Sequence, residues 1–258
     1  MLEGVFTAMV TPFNEDGSVD YDAFQRLVVF LCENGSDGVV VAGTGTYSTA
    51  HSIHLTEQAH RAGAHAFLVV TPYYNKPPQR GIVAHFEAIA QVSDRPIVVY
   101  NIPARVVINI EPDTMTRLAE IETVAAVKQA NDDLDQARHI VELGLTLLAG
   151  DDAILQPFLE LGGAGGICVH THVVGPQVAE QVAAARSGDL PRAREIDAAL
   201  EPAYDLLKVQ SNPIAIKTAL GLLGHDVGGL RLPLVAATGE EIAQVRGCLE
   251  RLSLLVAA

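Results

Sequence analysis

Short runs of consecutive apolar residues alternate along the chain with longer segments whose apolar residues recur every three or four positions. The short runs predict strands that are buried on both faces, and the longer segments predict amphipathic helices. The predicted strands are 5–10, 38–42, 66–70, 97–100, 124–128, 145–149 and 165–169. The predicted helices are 21–33, 48–62, 79–91, 111–121, 134–143, 153–161 and 176–186, followed by three more at 191–209, 213–223 and 240–252.

Strands that alternate with helices in this way predict parallel βαβ units. The repeat of roughly 30 residues is typical of a TIM-type (β/α)8 barrel, although the pattern contains seven strands instead of eight. A doubly wound open sheet is the alternative, but the glycine-rich dinucleotide fingerprint is missing after the first strand. We therefore predict an α/β fold of TIM-barrel type in one domain, with the barrel at 1–188 and a helical extension at 189–258.

Composition narrows the classes of function. The 258 residues are 49% hydrophobic and carry a formal net charge of -14, which argues against nucleic acid and anionic membranes as partners. No apolar run approaches the roughly 18 residues of a membrane span, and the first residues lack the basic region of a signal peptide. The cysteines lie in apolar segments without a Cys-x-x-Cys motif, which indicates reduced, buried thiols and a cytoplasmic protein. They are Cys32, Cys168 and Cys248.

The apolar run 124–128 ends in a lysine, which is an unusual residue at that position. In a parallel barrel the chemistry lies at the carboxyl ends of the strands, so Lys128 is a candidate active-site amine. Burial lowers the pKa of a lysine, and a neutral amine can attack a carbonyl to form a Schiff base. The alternative is that Lys128 caps the strand and reaches water or a carboxylate.

Two other side chains favour the interpretation as a reactive amine. Tyr100 ends the preceding strand, and adjacent strands lie roughly 4.8 Å apart, so its hydroxyl can shuttle protons beside Lys128. Arg105 follows in a proline-containing loop, where its guanidinium can bind a substrate carboxylate. The alternatives are an ordinary aromatic residue at the barrel rim and a solvated loop arginine.

Other polar residues at strand ends have simpler interpretations. His170 and His172 are expected to share one face at a strand end, but no convincing third metal ligand accompanies them, so no metal site is predicted. Asp151 and Asp152 are expected to cap the next helix, with Mg²⁺ binding as the alternative. The histidines at 51, 54 and 60 are expected on a solvated helix face.

These motifs, together with others in the same order, resemble the dihydrodipicolinate synthases within the N-acetylneuraminate lyase family of class I aldolases. The matching segments cover nearly the whole chain: TAMVTPF at 7–13, VTPYYN at 70–75, YNIPAR at 100–105, VK at 127–128, AGDD at 149–152 and GGICV at 165–169.

The resemblance implies a Schiff base between Lys128 and pyruvate, with Tyr100 as the proton relay. It implies that Arg105 positions L-aspartate 4-semialdehyde, and that the reaction yields 4-hydroxy-tetrahydrodipicolinate in lysine biosynthesis. It also places the carbonyl of Ile167, a substrate-binding candidate, near the pyruvate site. It implies that Tyr74, a catalytic candidate, crosses a dimer interface into the neighbouring subunit's site. We therefore expect a homodimer or homotetramer whose substrates are small molecules, and Schiff-base chemistry needs no metal or organic cofactor. A sugar-acid aldolase and a catalytically impaired scaffold subunit are the alternatives.

The chain departs from the family pattern after the second strand. There the family has the motif GTTGE, a helix, a third strand and then a loop that contains GTG, whereas here 39–44 runs directly into 45–50. Thr44 matches either the first threonine of that motif or the later loop, and we retain it as a catalytic and substrate-binding candidate. Roughly 30 residues, about one βα unit, are missing. The explanations are a seven-stranded or opened barrel, an impaired variant, or a sequence that lacks a segment.

Overall fold

Each of the seven predicted apolar runs forms a strand. The strands are β1 (Gly4–Ala8), β2 (Gly38–Val40), β3 (Phe67–Val70), β4 (Ile97–Asn101), β5 (Val124–Gln129), β6 (Thr146–Ala149) and β7 (Gly165–Cys168). The computed structural model describes residues 2–256, and no eighth strand occurs among them. The prediction of an α/β fold of TIM-barrel type with seven strands is therefore confirmed.

Helices follow the strands in chain order. They are α1 (Tyr21–Glu33), α2 (Thr49–Arg61), α3 (Gln79–Ala90), α4 (Pro103–Val106), α5 (Pro112–Ala119), α6 (Leu134–Glu142), α7 (Leu155–Glu160), α8 (Thr171–Arg186), α9 (Leu190–Ala199), α10 (Glu201–Val209), α11 (Ile214–Leu222) and α12 (Gly239–Arg251). Side-chain caps fix several starts: Asp20 accepts a hydrogen bond from the amide of Ala23 at the start of α1. No helix in the described part of the chain is both long enough and apolar enough to cross a membrane.

Three helix predictions are wrong in detail. The segment 191–209 forms two helices, α9 and α10, because Pro202 has no amide hydrogen to continue α9 and instead fits the first turn of α10. The segment 153–161 begins as a 3₁₀ turn over Asp152–Ile154 before α7. Helix α8 begins at Thr171, ahead of the predicted residue 176, and non-helical dihedral angles at Val174 mark a kink before its internal proline.

The chain divides into two compact units. One contains Ala42–Ile167, and the other contains Gly4–Val41 together with the chain from Cys168 onward. In the first unit β3, β4, β5, β6 and β7 pair in that order, and every pair is parallel. The division into a barrel at 1–188 and an extension at 189–258 stays a prediction.

In the second unit β1 pairs with β2 in parallel, with Thr7 opposite Val39. Helix α8 packs against β1, where the hydroxyl of Thr7 donates to the hydroxyl of Thr171 over 2.8 Å. A buried apolar cluster joins α1 to the C-terminal helices α10, α11 and α12; its members include Leu27, Leu31, Leu206, Leu220, Val245 and Leu249. The three C-terminal helices therefore share one core with the first helix.

The segment just after β2 shows the path that the chain takes where the βα unit is missing. The amide of Thr44 donates to the carbonyl of Leu68 in β3 over 2.9 Å. A Cβ atom at Gly45 would overlap the backbone of Val70, so the chain passes β3 closely at that point. Residues 43–45 thus run beside β3 without forming a strand, and α2 begins shortly afterwards at Thr49.

Candidate active site

Lys128 and Tyr100 lie side by side at the carboxyl ends of β5 and β4. They are register partners in the parallel ladder. The Nζ atom of Lys128 lies 4.3 Å from the centre of the Tyr100 ring, which is within the range of a cation–π contact. Lys128 is only 5% exposed, so the alternative in which it reaches into bulk water does not fit the structure.

The backbone that follows β6 presses against the Lys128 side chain. The amide of Gly150 donates to the carbonyl of Gln129 over 2.7 Å. A Cβ atom at Gly150 would lie 2.9 Å from Cγ of Lys128 and 2.8 Å from Cβ of Ala130. A side chain at this position would therefore displace the lysine, and the glycine leaves it room to extend toward Tyr100.

Burial raises the pKa of Tyr100 to about 12, and the negative charges of Asp151 and Asp152 contribute in the same direction. The positive charge of Arg105 opposes them and lowers this pKa. The phenol is consequently protonated at neutral pH and is available as a proton donor. Among the residues that the structure describes, none accepts a hydrogen bond from its hydroxyl.

A pocket of about 410 Å³ opens beside Tyr100, a size that is typical of small-molecule sites. Tyr100 and Arg105 both line it, so the two predicted side chains meet at one cavity. Arg105 is exposed, and it lies on the short helix α4 and not in the predicted loop. The other lining residues are Gly43, Gly45, Leu68, Val70, Tyr73, Ile102 and Val106. The pocket thus combines an apolar wall with a single guanidinium that can bind a carboxylate.

Thr44 lies beside this pocket without lining it. Its side chain is buried, and its Oγ1 atom accepts a hydrogen bond of 3.0 Å from the hydroxyl of Thr56 in α2. Among the residues that the structure describes, no hydrogen bond joins the Thr44 hydroxyl to Tyr100. The catalytic and substrate-binding roles of Thr44 stay predictions.

Tyr74 and Ile167 occupy contrasting places. Tyr74 is 89% exposed and has a φ of 74°, a strained value for a residue other than glycine. Ile167 is 3% exposed within β7. The neighbouring Tyr73 lines the pocket and packs edge-on against Tyr47, with the ring centres 5.7 Å apart. Sequence reasoning missed Tyr47, although it lies within 45–50, in the segment where the chain departs from the family pattern.

A family model described as the dihydrodipicolinate synthetase family matches residues 1–46 and 40–252. The chain belongs to this family. It is 39% identical to the 4-hydroxy-tetrahydrodipicolinate synthase of Desulforamulus reducens over 97% of each chain. The crystal structure of dihydrodipicolinate synthase from Thermotoga maritima superimposes with a TM-score of 0.94 at 35% identity, covering 99% of this chain and 100% of that one. A dihydrodipicolinate synthase described as the first monomeric variant has the same TM-score and identity, over 98% of this chain and 97% of that one.

The two matches to the dihydrodipicolinate synthetase family locate the missing segment. They overlap at residues 40–46, which therefore align with two places in the family. The alignment with the D. reducens protein spans 288 positions, whereas 97% of the 258 residues is about 250, so about 38 positions have no residue from this chain. This length is close to one βα unit of a TIM barrel. The comparison thus supports the loss of one unit after β2.

The histidines that follow β7 in this family member have structural partners. The prediction that His170 and His172 share a strand-end face is wrong, because β7 ends at Cys168 and His172 lies in the first turn of α8. The Nε2 atom of His172 accepts from the amide of Val10 over 3.1 Å, and its Nδ1 atom lies 2.7 Å from the carbonyl of Val169. The ring therefore ties β1 to the start of α8.

The remaining predictions have mixed outcomes. Asp151 caps the 3₁₀ turn after β6 by accepting from the amide of Ala153 over 3.1 Å, which confirms its capping role. His51 and His54 are exposed on α2 as predicted. The prediction of three buried cysteines is wrong for Cys32, which lies on the exposed side of α1, whereas Cys168 and Cys248 are buried.

Proposed function

We propose that the protein is a 4-hydroxy-tetrahydrodipicolinate synthase, a lyase that condenses pyruvate with L-aspartate 4-semialdehyde in lysine biosynthesis. The observation that supports this most strongly is the buried amine of Lys128, 4.3 Å from the Tyr100 ring and next to a pocket that Arg105 lines. An amine, a protonated phenol and a carboxylate anchor are the groups that Schiff-base condensation of a 2-oxo acid requires. The proposal places the enzyme in the cytoplasm.

In the first half of the reaction, the neutral amine of Lys128 attacks the keto carbon of pyruvate and forms a carbinolamine. The hydroxyl of Tyr100 donates a proton to the departing oxygen, so that water leaves and an imine forms. The resulting tyrosinate takes a proton from the methyl group, which gives an enamine. The enamine carbon attacks the aldehyde carbon of the second substrate, and Tyr100 returns the proton to the aldehyde oxygen as the new carbon–carbon bond forms. In the second half, the amino group of the adduct attacks the imine carbon, which closes the ring and releases Lys128 as the free amine.

The other candidate residues act around this core. Arg105 binds the carboxylate of the aldehyde substrate at the pocket rim, and Ile167 presents its backbone near the pyruvate site. Because no described residue accepts a hydrogen bond from the Tyr100 hydroxyl, Tyr100 exchanges its proton with water in the pocket. The chemistry needs no metal or organic cofactor.

The active form is a homodimer or homotetramer in which Tyr74 enters the neighbouring subunit's site. The support is its 89% exposure at a strained φ of 74°, since an exposed aromatic residue at a costly backbone angle is typical of an interface or functional position. Sedimentation analysis of the parent and of Tyr74→Ala tests this. Equal masses at the monomer value would contradict it.

Trapping of the imine tests the catalytic proposal. The protein is incubated with pyruvate and borohydride, and the adduct is located by intact mass and peptide mapping. A pyruvyl adduct on Lys128 is expected, and none on the other buried lysine, Lys217. Lys128→Ala should abolish the adduct, whereas Lys208→Ala, at an exposed lysine, should retain it. Turnover with aspartate semialdehyde but not with sugar-acid substrates separates the synthase from a sugar-acid aldolase.

The second candidate is a non-catalytic scaffold subunit. The lost threonine motif after β2 favours it, since no hydrogen bond joins Thr44 or any other described residue to the Tyr100 hydroxyl. A folded protein that traps no pyruvate on Lys128 would support the scaffold and contradict the synthase.

A further inference from the structure

A buried set of amide side chains lies directly behind the proposed catalytic pair. Asn101 follows Tyr100 in β4 and Gln129 follows Lys128 in β5, and both amides are completely buried. Successive strand residues point to opposite faces, so these amides face away from the catalytic side chains. They are register partners, and Nδ2 of Asn101 donates to Oε1 of Gln129 over 3.1 Å.

Asn101 also binds the segment that follows the Arg105 helix. Its Nδ2 atom donates to Oδ1 of Asn109 over 2.7 Å, and its Oδ1 atom accepts from the amide of Ile110 over 3.2 Å. The carbonyl of Asn109 in turn accepts from Gln79 over 2.8 Å. Helix α4, which carries Arg105, is therefore held at its start by β4 and beyond its end by Asn101.

Gln129 makes the corresponding contacts on the side of α6. Its Nε2 atom donates to Oδ1 of Asn131 over 2.7 Å and to Oε1 of Gln136 over 3.0 Å. Asn131 connects the contacts of Asn101 with those of Gln129. Its Nδ2 atom donates to Oδ1 of Asn109 over 3.3 Å and to Oε1 of Gln136 over 3.1 Å. We call the five side chains Asn101, Asn109, Gln129, Asn131 and Gln136 the amide network.

We infer that the amide network is a positioning device for the reaction: Asn101 fixes Tyr100 and the Arg105 segment, and Gln129 fixes Lys128. The inference rests on the proposed function. Five amides gain little stability over apolar side chains, since hydrogen bonds in the folded state replace hydrogen bonds to water. What a satisfied network provides is a unique geometry. A displacement of about 1 Å at a catalytic group can reduce a rate by about 10²-fold.

Asn101→Leu tests the inference, because leucine keeps the γ-branched shape of asparagine and removes every hydrogen bond of the amide. We expect a rise of at least about tenfold in the KM for aspartate semialdehyde together with a lower kcat. The reason is that residue 101 would no longer hold the Arg105 segment and Tyr100 in position. The matched control is Gln181→Leu, at an equally buried amide of α8 that donates to Asp197 over 3.0 Å. It should lose comparable stability while its KM and kcat stay within about twofold of the parent values.

Asn109→Ala provides a milder variant in case Asn101→Leu does not fold, since it removes an acceptor of Asn101 from a loop and leaves both strands intact. Folded variants of Asn101 and Asn109 with parental KM and kcat would overturn the inference. So would an equal kinetic loss in Gln181→Leu, because the effect would then follow stability alone.

The rate of borohydride trapping with pyruvate separates this inference from the proposed function. If the parent traps pyruvate but does not turn over aspartate semialdehyde, the proposed synthase activity fails, and the trapping rate still measures the positioning of Lys128 and Tyr100. A rate about tenfold lower in Asn101→Leu, with a parental rate in Gln181→Leu, would then support the network. Equal rates in all three proteins would overturn it.

Discussion

The Nζ atom of Lys128 lies 4.3 Å from the ring centre of Tyr100, its register partner on the adjacent parallel strand. Neither side chain depends on the segment that the chain lacks, since β4 and β5 are both complete. The loss of one βα unit therefore removes part of the surroundings of the active site and leaves the central pair in place. We therefore expect the activity of the proposed enzyme to depend on proton exchange between Tyr100 and water in the pocket.

Tyr100→Phe should separate the contribution of the hydroxyl from the contribution of the ring. The ring still packs against Lys128, and the hydroxyl has no hydrogen bond to a described residue, so the free energy of unfolding should change by less than about 0.5 kcal/mol. Turnover and the rate of imine trapping should fall by about 10²- to 10⁴-fold, as for loss of a general acid. Steady-state kinetics and denaturant unfolding measure both, with Tyr21→Phe at an exposed position as the control. Unchanged trapping would exclude Tyr100 as the proton donor.

Removing the charge of Arg105 should raise the pKa of Tyr100 above its value of about 12, because the guanidinium lowers that pKa in the parent. Asp151→Asn should act in the opposite direction, because that carboxylate raises the pKa. Ultraviolet titration of tyrosinate absorbance measures both shifts, with Tyr100→Phe identifying the contribution of this residue. A lower pKa in Arg105→Gln would show that the two side chains do not interact as described.

Gly150→Ala should impair catalysis through Lys128. The added Cβ atom would lie 2.9 Å from Cγ of Lys128, so the lysine must shift, and we expect at least about a tenfold fall in the rate of imine trapping. Overpacking should also cost about 1–3 kcal/mol in the free energy of unfolding.

Gly247→Ala is the matched control for this substitution. Nothing lies within 4 Å of a Cβ atom at Gly247, so alanine within α12 should stabilise the protein by about 0.5–1 kcal/mol and leave trapping unchanged. A parental trapping rate in Gly150→Ala would show that the glycine does not constrain the lysine.

His85 should make the protein less stable in mild acid. Burial lowers the pKa of His85 to about 4, from 6.5 in an exposed chain, and its Nδ1 atom pairs with the hydroxyl of Thr49 over 2.9 Å. The unfolded chain therefore binds the proton first, so stability falls as the pH drops from 6.5 toward 4 and is unaffected above that window. The loss should reach about 2–3 kcal/mol at pH 4.

Denaturant unfolding across this range checks the effect. His85→Gln should flatten the pH dependence by that amount, whereas His54→Gln, at an exposed histidine of α2, should leave it unchanged. Parallel curves for the parent and His85→Gln would assign the acid sensitivity to other groups.

Lys217 should contribute strongly to stability, unlike most lysines. It is 6% exposed, and its Nζ atom donates to the carbonyls of Val227 and Gly229 over 2.9 Å and 2.6 Å. Lys217→Met would leave both carbonyls without this donor, which should cost about 2–3 kcal/mol. Thermal and denaturant unfolding measure the change, and Lys208→Met, at an exposed lysine, should change stability by less than about 0.5 kcal/mol. Equal effects of the two substitutions would contradict a structural role for Lys217.

The sequence determined the elements of this protein and the location of its proposed chemistry. Apolar runs and helical periodicity encode local structure, so the seven strands could be placed within about two residues of their observed ends. The sequence also predicted that Lys128 and Tyr100 lie side by side, because neighbouring parallel strands bring their carboxyl ends to one edge of the sheet. The departure from the family pattern after the second strand, together with the count of seven strands, indicated the loss of a βα unit, and the doubled family match at residues 40–46 agrees with it.

The tertiary structure alone decided which partner each polar side chain takes. Nothing local to Thr44 indicates that its hydroxyl binds Thr56, and nothing local to Asn101 indicates that it joins Gln129 and Asn109. Such pairings depend on strand register and on how helices pack, which are set by contacts far apart in the chain. Periodicity tells which face of an element is buried, whereas the hydrogen-bond partner of a buried amide or hydroxyl is fixed only when the elements meet.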